Sequence, residues 1–507
     1  MTAEPSTRLS DLVRVGAQRF PAEPAVWATD GELSYRELDE LANRVGHAVA
    51  ARGVRRGDRV AIWLDKSTRM IAAMQGVLRV GAAYVPIDPL GPVDRAAAVI
   101  ADCTAKLVIT TDGRLAELRA HGGVTGPVFL IDWSEVLGSS PEAVFDPGGN
   151  PDDPAYILYT SGSTGSPKGV CLSHANALAF VDWAATEIGA EHTDRFANHA
   201  PPQFDLSVLD IYAAFRVGAS VHLVPHEHSY APRKLVAFLL EREVTIWYSV
   251  PAALMLMTRE GGLGEADPPA LRVVLFAGEP YPVRQLRELR NRWPHVRFLN
   301  LYGPTETNVC TFHEVPILPD GDVEPVPIGR ACSGDRVWAV RADGQIAGVG
   351  EEGELVVSGP TVMLGYWGRP AQQGPYRTGD RVVLGADGAY RYLGRSDGMV
   401  KLRGHRIELG EIENVLRRHP GIAEAAVSVA GEGLTARLVA WVVPVAQALD
   451  LLEVKRHCAG MLPRYMIVDS VRWLDELPRG RTGKIDRRRL GAPAEADRKE
   501  PVAESVP

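Results

Sequence analysis

From residue 59 to residue 132 short apolar runs alternate with segments of helical period. RVAIWL, AYVPI, KLVIT and PVFLID read as strands. Between the first two, Met70, Met74, Val77 and Leu78 recur one turn apart, which predicts a helix that lays a single apolar stripe on a sheet. Strands alternating with such helices predict a parallel sheet covered on both faces. The alternation returns from Pro154 to Leu275, and again, richer in strands, from Arg297 to Leu393. The expected fold class is therefore α/β, with a large N-terminal domain of sheet-and-helix subdomains.

Near Gly394 the pattern changes. GRSDGMVKLRGHRIELGEIENVLRRHP reads as a charged turn, a short strand and a helix with Ile412, Val415 and Leu416 on one face. AEAAVSVA, LTARLVAWVVP and MIVDSVRWL read as strands beside helices over 411–419 and 446–461, which predicts a small α+β C-terminal domain. The boundaries expected are 1–396 for the core, 397–490 for the small domain, and a polar, Pro- and Ala-rich tail over 491–507 that lacks the apolar residues to fold.

Composition narrows the chemistry. A chain of 507 residues holds two or three domains. Lys+Arg 55 against Asp+Glu 63 leaves a net charge of -8, which repels a polyanion and argues against nucleic acid. Five cysteines, Cys103, Cys171, Cys310, Cys332 and Cys458, are spread without a CxxC pair and read as reduced thiols. Neither a signal segment nor an apolar run of membrane length is present in the sequence, so a cytoplasmic protein without a membrane partner is expected.

The strongest local signal is AYILYT running into SGSTGSPKG. Small residues let backbone N–H groups approach an anion, the hydroxyls of Ser161, Ser163 and Thr164 donate to it, and Lys168 adds positive charge. The loop is not the GxxxxGK[ST] phosphate loop, because its lysine follows proline and precedes glycine. By itself it is a phosphate loop or a flexible linker.

Seven further strings stand with it in order: VGAAYVPIDP (80–89), FDLSV (204–208), NLYGPTETN (300–308), GELVVSGPTVMLGYWGRP (353–370), YRTGD (376–380), GRSDGMVKLRGHRIELGEIE (394–413) and LPRGRTGKID (477–486). Together they resemble the adenylate-forming superfamily and, within it, the adenylation enzymes of nonribosomal peptide synthesis. The resemblance implies an acyl-adenylate-forming fold with a mobile small domain, ATP and Mg²⁺ as reactant and cofactor, and catalytic roles for Lys484, Lys168 and Glu306. It implies nucleotide contacts from Thr160, Ser161, Gly162, Ser163, Thr164, Gly165 and Lys168 in the loop. Further contacts are implied for Gly278, Glu279 and Pro280, for Asn300, Leu301, Tyr302, Gly303 and Thr305, and for Asp380, Tyr392, Arg395 and Lys484. Tyr302 is expected to stack on adenine and Asp380 to accept from the ribose hydroxyls. Glu306 and Thr164 are the expected metal ligands, and Asp397 the hinge about which the small domain turns.

Asp205, after Phe204 in FDLSV, stands where amino-acid-activating members keep an aspartate. A buried carboxylate there pairs with an α-ammonium, and burial without that partner costs several kcal/mol, on the order of 3–5. The other specificity positions carried over are Leu206, Leu209, Tyr248, Leu275, Ala277, Leu301, Val309 and Cys310, none of them charged. A charged substrate side chain would lose its solvation in such a pocket, which leaves a small or medium apolar amino acid. The string is similar to that of free-standing L-proline-activating ligases of pyrrole biosynthesis. The expectation is thus prolyl-AMP formation, then transfer to the phosphopantetheine thiol of a separate peptidyl carrier protein. Alanine, valine or pipecolate in the same chemistry, or a non-catalytic nucleotide-binding relative, are the alternatives.

The expected place of Lys484, across the substrate carboxylate and the nucleotide oxygens, makes a clear prediction. Lys484→Ala should lower the adenylation rate by ~10² or more and leave thioester formation from supplied adenylate nearly intact. Equal loss in the two half-reactions, measured separately, would refute the assignment.

Overall fold

The computed structural model describes residues 7–122, 133–143, 149–162, 167–229, 231–321, 324–395, 399–431, 433–445, 450–479 and 489–490. Two large sheets form the core. The first has nine strands, in the order Arg330–Ala331, Thr311–Glu314, Arg297–Tyr302, Val273–Phe276, Ile246–Ser249, Arg195–Asn198, Ser220–Leu223, Pro24–Ala28 and Gly31–Ser34. Its central strands run parallel and only its edges turn back. The second has six strands and contains Arg59–Ile62, Ala83–Pro86, Leu107–Ile109 and the antiparallel pair Pro154–Thr160 and Lys168–Ser173. A four-stranded antiparallel sheet over Arg336–Arg395 completes the large region.

The parallel strands are apolar throughout because helices cover both faces, so alternation is lost and continuous runs appear. Helix Thr68–Arg79 carries the Met70, Met74, Val77 and Leu78 stripe, but every residue described as its body except Arg69 is buried. The stripe is wider than the periodicity predicts because helix Tyr35–Ala51 lies against its second side. A Cβ at Gly76 would stand 2.6 Å from the Val45 side chain, so glycine is what allows the two helices to approach. The cysteines are free and buried.

The small domain has a three-stranded sheet, Ile422–Ala430, Arg437–Pro444 and Ser470–Trp473, with helices Leu409–Arg417 and Leu451–Met461. Its own core joins Leu402, Ile407, Ile412, Leu416, Val427 and Cys458. KLRGHRIE is not a turn and one strand but a two-stranded hairpin, Met399–Leu402 and His405–Glu408. Its two-residue turn places both Arg403 (φ 51°) and Gly404 (φ 78°) in the left-handed region, the geometry that suits tight hairpins. PVFLID and residues 446–449 of the expected second helix lie outside the described residues, as do Asp397 at the proposed boundary and the tail over 491–507. Among the described residues no helix is long and apolar enough to cross a membrane.

Candidate active site

The carboxyl ends of parallel strands Arg195–Asn198, Ile246–Ser249, Val273–Phe276 and Arg297–Tyr302 meet at one edge of the nine-stranded sheet, the edge where open α/β sheets bind ligands. Two adjoining cavities open there. Thr160, Ser161, Phe204, Asp205, Leu206, Tyr248, Ala277, Gly303, Thr305 and Val309 contribute to the first. Glu279, Pro280, Asn300, Leu301, Tyr302 and Tyr392 contribute to the second, and Gly278 and Lys401 border both.

Asp205 opens the short helical turn Leu206–Val208 yet makes no capping hydrogen bond with its side chain. Its carboxyl group faces the first cavity, and burial raises its pKa against the pull of the Thr305 side chain and of Lys401. Phe204, Leu206, Tyr248, Ala277 and Val309 stand around it. Leu209, Leu275 and Cys310 are fully buried behind this wall, and Leu301 borders the second cavity instead.

The loop after Thr160 joins two antiparallel strands, with Thr160 opposite Lys168. Ser163, Thr164 and Gly165 lie outside the described residues. The buried Thr160 hydroxyl has no hydrogen-bond partner among the described residues, and the Ser161 hydroxyl donates to the Arg406 carbonyl (2.8 Å). The Gly162 N–H points to the Glu411 carboxylate (3.4 Å), which also pairs with Arg95 (2.7 Å). Lys168 places its ammonium 5.7 Å from the Tyr366 ring centre.

Beside the second cavity Asp380 is fully buried. Tyr302 donates to one of its oxygens and Arg395 to the other (2.5 Å). Asn300 donates its side-chain amide to the Pro327 carbonyl (2.8 Å). Glu279 accepts from the backbone N–H of Ala252 (2.9 Å) and of Gly404 (3.1 Å), so its carboxylate ties the hairpin to the core.

The hairpin supplies the residues that sequence reasoning left without roles. Lys401 and Arg406 are cross-strand partners, and both turn toward the cleft while Leu402 and Ile407 turn into the small-domain core. Arg406 donates to both oxygens of the fully buried Glu306 (2.7 and 3.0 Å), and the Tyr366 hydroxyl donates to one of them (2.6 Å). Burial alone pushes Glu306 up. Arg406 and Tyr366 outweigh it and hold the carboxyl below its ordinary range. The Lys401 ammonium lies 5.1 Å from the Tyr302 ring centre; burial lowers its pKa against the pull of Asp380 and Asp205. The alternation of basic and apolar positions in KLRGHRI carried the signal for this arrangement. Lys484 lies outside the described residues.

Residues 13–367 match the AMP-binding enzyme family, and residues 411–484 match the AMP-binding enzyme C-terminal domain. The chain is 52% identical over 480 residues to an L-proline--[L-prolyl-carrier protein] ligase of Pseudomonas fluorescens Pf-5, covering 92% of this chain and 96% of that one. It is 40% identical to a Streptomyces coelicolor protein of the same name, over 95% and 96% of the two chains. Among solved structures, IdnL1 superposes with a TM-score of 0.78 at 29% identity, over 94% of this chain and all of that one.

The seating of the hairpin is testable. A Cβ at Gly404 would stand 2.2 Å from the Val250 side chain, at a backbone angle that already disfavours a side chain. Gly404→Ala should therefore loosen the hairpin from the cleft and speed tryptic cleavage after Lys401, Arg403 or Arg406 by roughly tenfold, while the core stays intact. An unchanged cleavage rate at these bonds would contradict the close contact.

Proposed function

Since the chain belongs to the AMP-binding enzyme family, we propose that it activates L-proline with ATP to prolyl-AMP and then passes the prolyl group to the phosphopantetheine thiol of a separate peptidyl carrier protein. It is an ATP-dependent, AMP-forming ligase. The observation that carries the substrate reading is Asp205, a carboxylate facing a largely apolar cavity beside the cavity of Tyr302. Its natural counter-charge is the ammonium of an amino acid, and the walls suit a small apolar ring. The named relatives, similar over nearly their whole length, support proline.

In the first step the proline carboxylate oxygen forms a bond to the α-phosphorus of ATP, the bond from that phosphorus to the bridging oxygen breaks, and pyrophosphate leaves with the electron pair. Asp205 holds the ring nitrogen so that the carboxylate points to the nucleotide. Lys168 and Lys484 offset charge on the phosphates and the reacting oxygens, so catalysis is positioning and electrostatics. Glu306 fits Mg²⁺. It is a fully buried carboxylate that already draws a cation, Arg406, and Mg²⁺ is commonly held by one or two carboxylates together with substrate phosphates. Bound there, with Thr164 as the expected second ligand, Mg²⁺ supplies charge neutralisation at the phosphates.

In the second step the carrier thiol sulfur bonds to the prolyl carbonyl carbon, the bond from that carbon to the phosphate oxygen breaks, AMP departs with the electron pair, and the thiol proton passes to water. The hairpin seated against both cavities is the arrangement we assign to this step, with Asp397 as the hinge between the two.

Proline-dependent pyrophosphate exchange tests the reading directly. Proline should support the fastest exchange in a panel of the common amino acids and pipecolate, with pipecolate, alanine and valine lower by roughly 10- to 200-fold, the discrimination available to one or two methylenes. Asp205→Ala should lower proline exchange by ~10² or more. Exchange driven best by an acidic, basic or large aromatic amino acid would sink the proposal.

A further inference from the structure

Behind the wall of the amino-acid cavity stand two groups of opposite charge that the proposed chemistry does not use, the buried Asp210 and the half-buried Lys66. Asp210 is 1% exposed. One of its oxygens accepts from the Asn198 side-chain amide (3.1 Å), and the other has no hydrogen-bond partner among the described residues. Lys66, just before the cap of helix Thr68–Arg79, donates from its ammonium to the backbone carbonyls of Asn198 (2.7 Å) and His199 (2.9 Å). Burial depresses the lysine to about 7 and lifts the aspartate, and each is partly restored by attraction to the other.

The two groups stand at the two ends of one segment. Asn198 and His199 end strand Arg195–Asn198 and begin the loop that leads to Asp205. Asp210 follows Asp205 beyond the helical turn Leu206–Val208, in the π-helical stretch Leu209–Ala213, a widened turn of the kind often kept at functional sites. Lys66 therefore grips the start of the loop, Asp210 grips the same strand end from beyond it, and Asp205 hangs between the two grips. Tyr248, a cavity wall residue, pairs in register with Asn198 and lies within the electrostatic reach of both Asp205 and Asp210.

We propose that Lys66 and Asp210 are positioning residues for substrate recognition: together they clasp the segment that carries Asp205, and the Lys66 charge offsets Asp210 so that Asp205 is the carboxylate that meets the substrate nitrogen. The proposal rests on the reading of the first cavity as an amino-acid site. A second, uncompensated carboxylate behind Tyr248 would repel Asp205 and compete with it for the same ammonium. Neither residue touches the substrate, and both act through Asp205.

The test compares exchange kinetics of Asp210→Asn and Lys66→Gln with the unaltered enzyme, using L-proline and its ring-oxygen analogue, (S)-tetrahydrofuran-2-carboxylate, which has no ammonium. Both variants should raise the KM for proline about tenfold or more, leave the KM for ATP within about twofold, and shrink the preference for proline over the oxygen analogue by about tenfold. A merely structural role would damage use of the two acids equally. Equal loss on both, or a preference within about twofold of the unaltered enzyme, overturns the proposal. An unaltered KM for ATP serves as the measure of an intact core. Should Asp210→Asn fold poorly, Lys66→Gln, which keeps a donor for the two carbonyls, decides by the same ratio. If another amino acid drives exchange best in the unaltered enzyme, the proline reading falls, and the pair is then judged by that amino acid against its deamino analogue.

Discussion

A carboxylate taken out of water must meet a cation, collect hydrogen bonds, or give up its charge. Three carboxylates, the fully buried Glu306 and Asp380 and the half-buried Asp205, lie at the cleft, and its architecture follows from how each is satisfied. Glu306 is spanned by Arg406, with Tyr366 on one oxygen. Asp380 is held between Tyr302 and Arg395. Asp205 makes no capping hydrogen bond with its side chain; the Thr305 side chain and Lys401 favour its charge, and Lys401 is drawn toward Asp380 as well. Under the proposed reaction a ligand nitrogen completes its partners.

Much of this was legible in the chain. The apolar runs that became parallel strands are continuous because both sheet faces are covered, and the Pro154–Thr160 strand leading into the glycine and hydroxyl loop was readable for the same reason. The position of Asp205 followed from the residues around it. What the sequence did not reveal arose from contacts between distant segments. The full burial of helix Thr68–Arg79 depends on Gly76 meeting Val45 in another helix. The hairpin escaped because an Arg–Gly turn with two left-handed residues is less usual than Asn–Gly. Lys66 in DKST reads as a surface lysine, and nothing in its neighbours tells that its ammonium will donate to two carbonyls more than a hundred residues later.

Specific contacts also redistribute roles among residues that share a motif. Glu279, in the AGEP segment, borders the second cavity, but its carboxylate is spent on the N–H groups of Ala252 and Gly404. Leu209, Leu275 and Cys310 are fully buried and do not line the first cavity; under the proposed function they would act on its size only through the residues that face it, since packing at interior density transmits a change in volume.

The hairpin contributes one further constraint on the order of events. Its cations occupy charges that an anionic nucleotide with its metal also needs: Arg406 covers both oxygens of Glu306, and Lys401 sits beside the Tyr302 ring under the attraction of Asp380. A carboxylate whose two oxygens share one guanidinium nitrogen of Arg406, with the Tyr366 hydroxyl on one of them, has less to offer Mg²⁺, and an ammonium beside the ring leaves less room for phosphate-bearing ligands of full charge. Under the proposed reaction, hairpin and metal–pyrophosphate are therefore competitors for one set of groups. On that reading the hairpin would seat after pyrophosphate has gone, and competition at Glu306 would give the two half-reactions their order without any additional regulatory element.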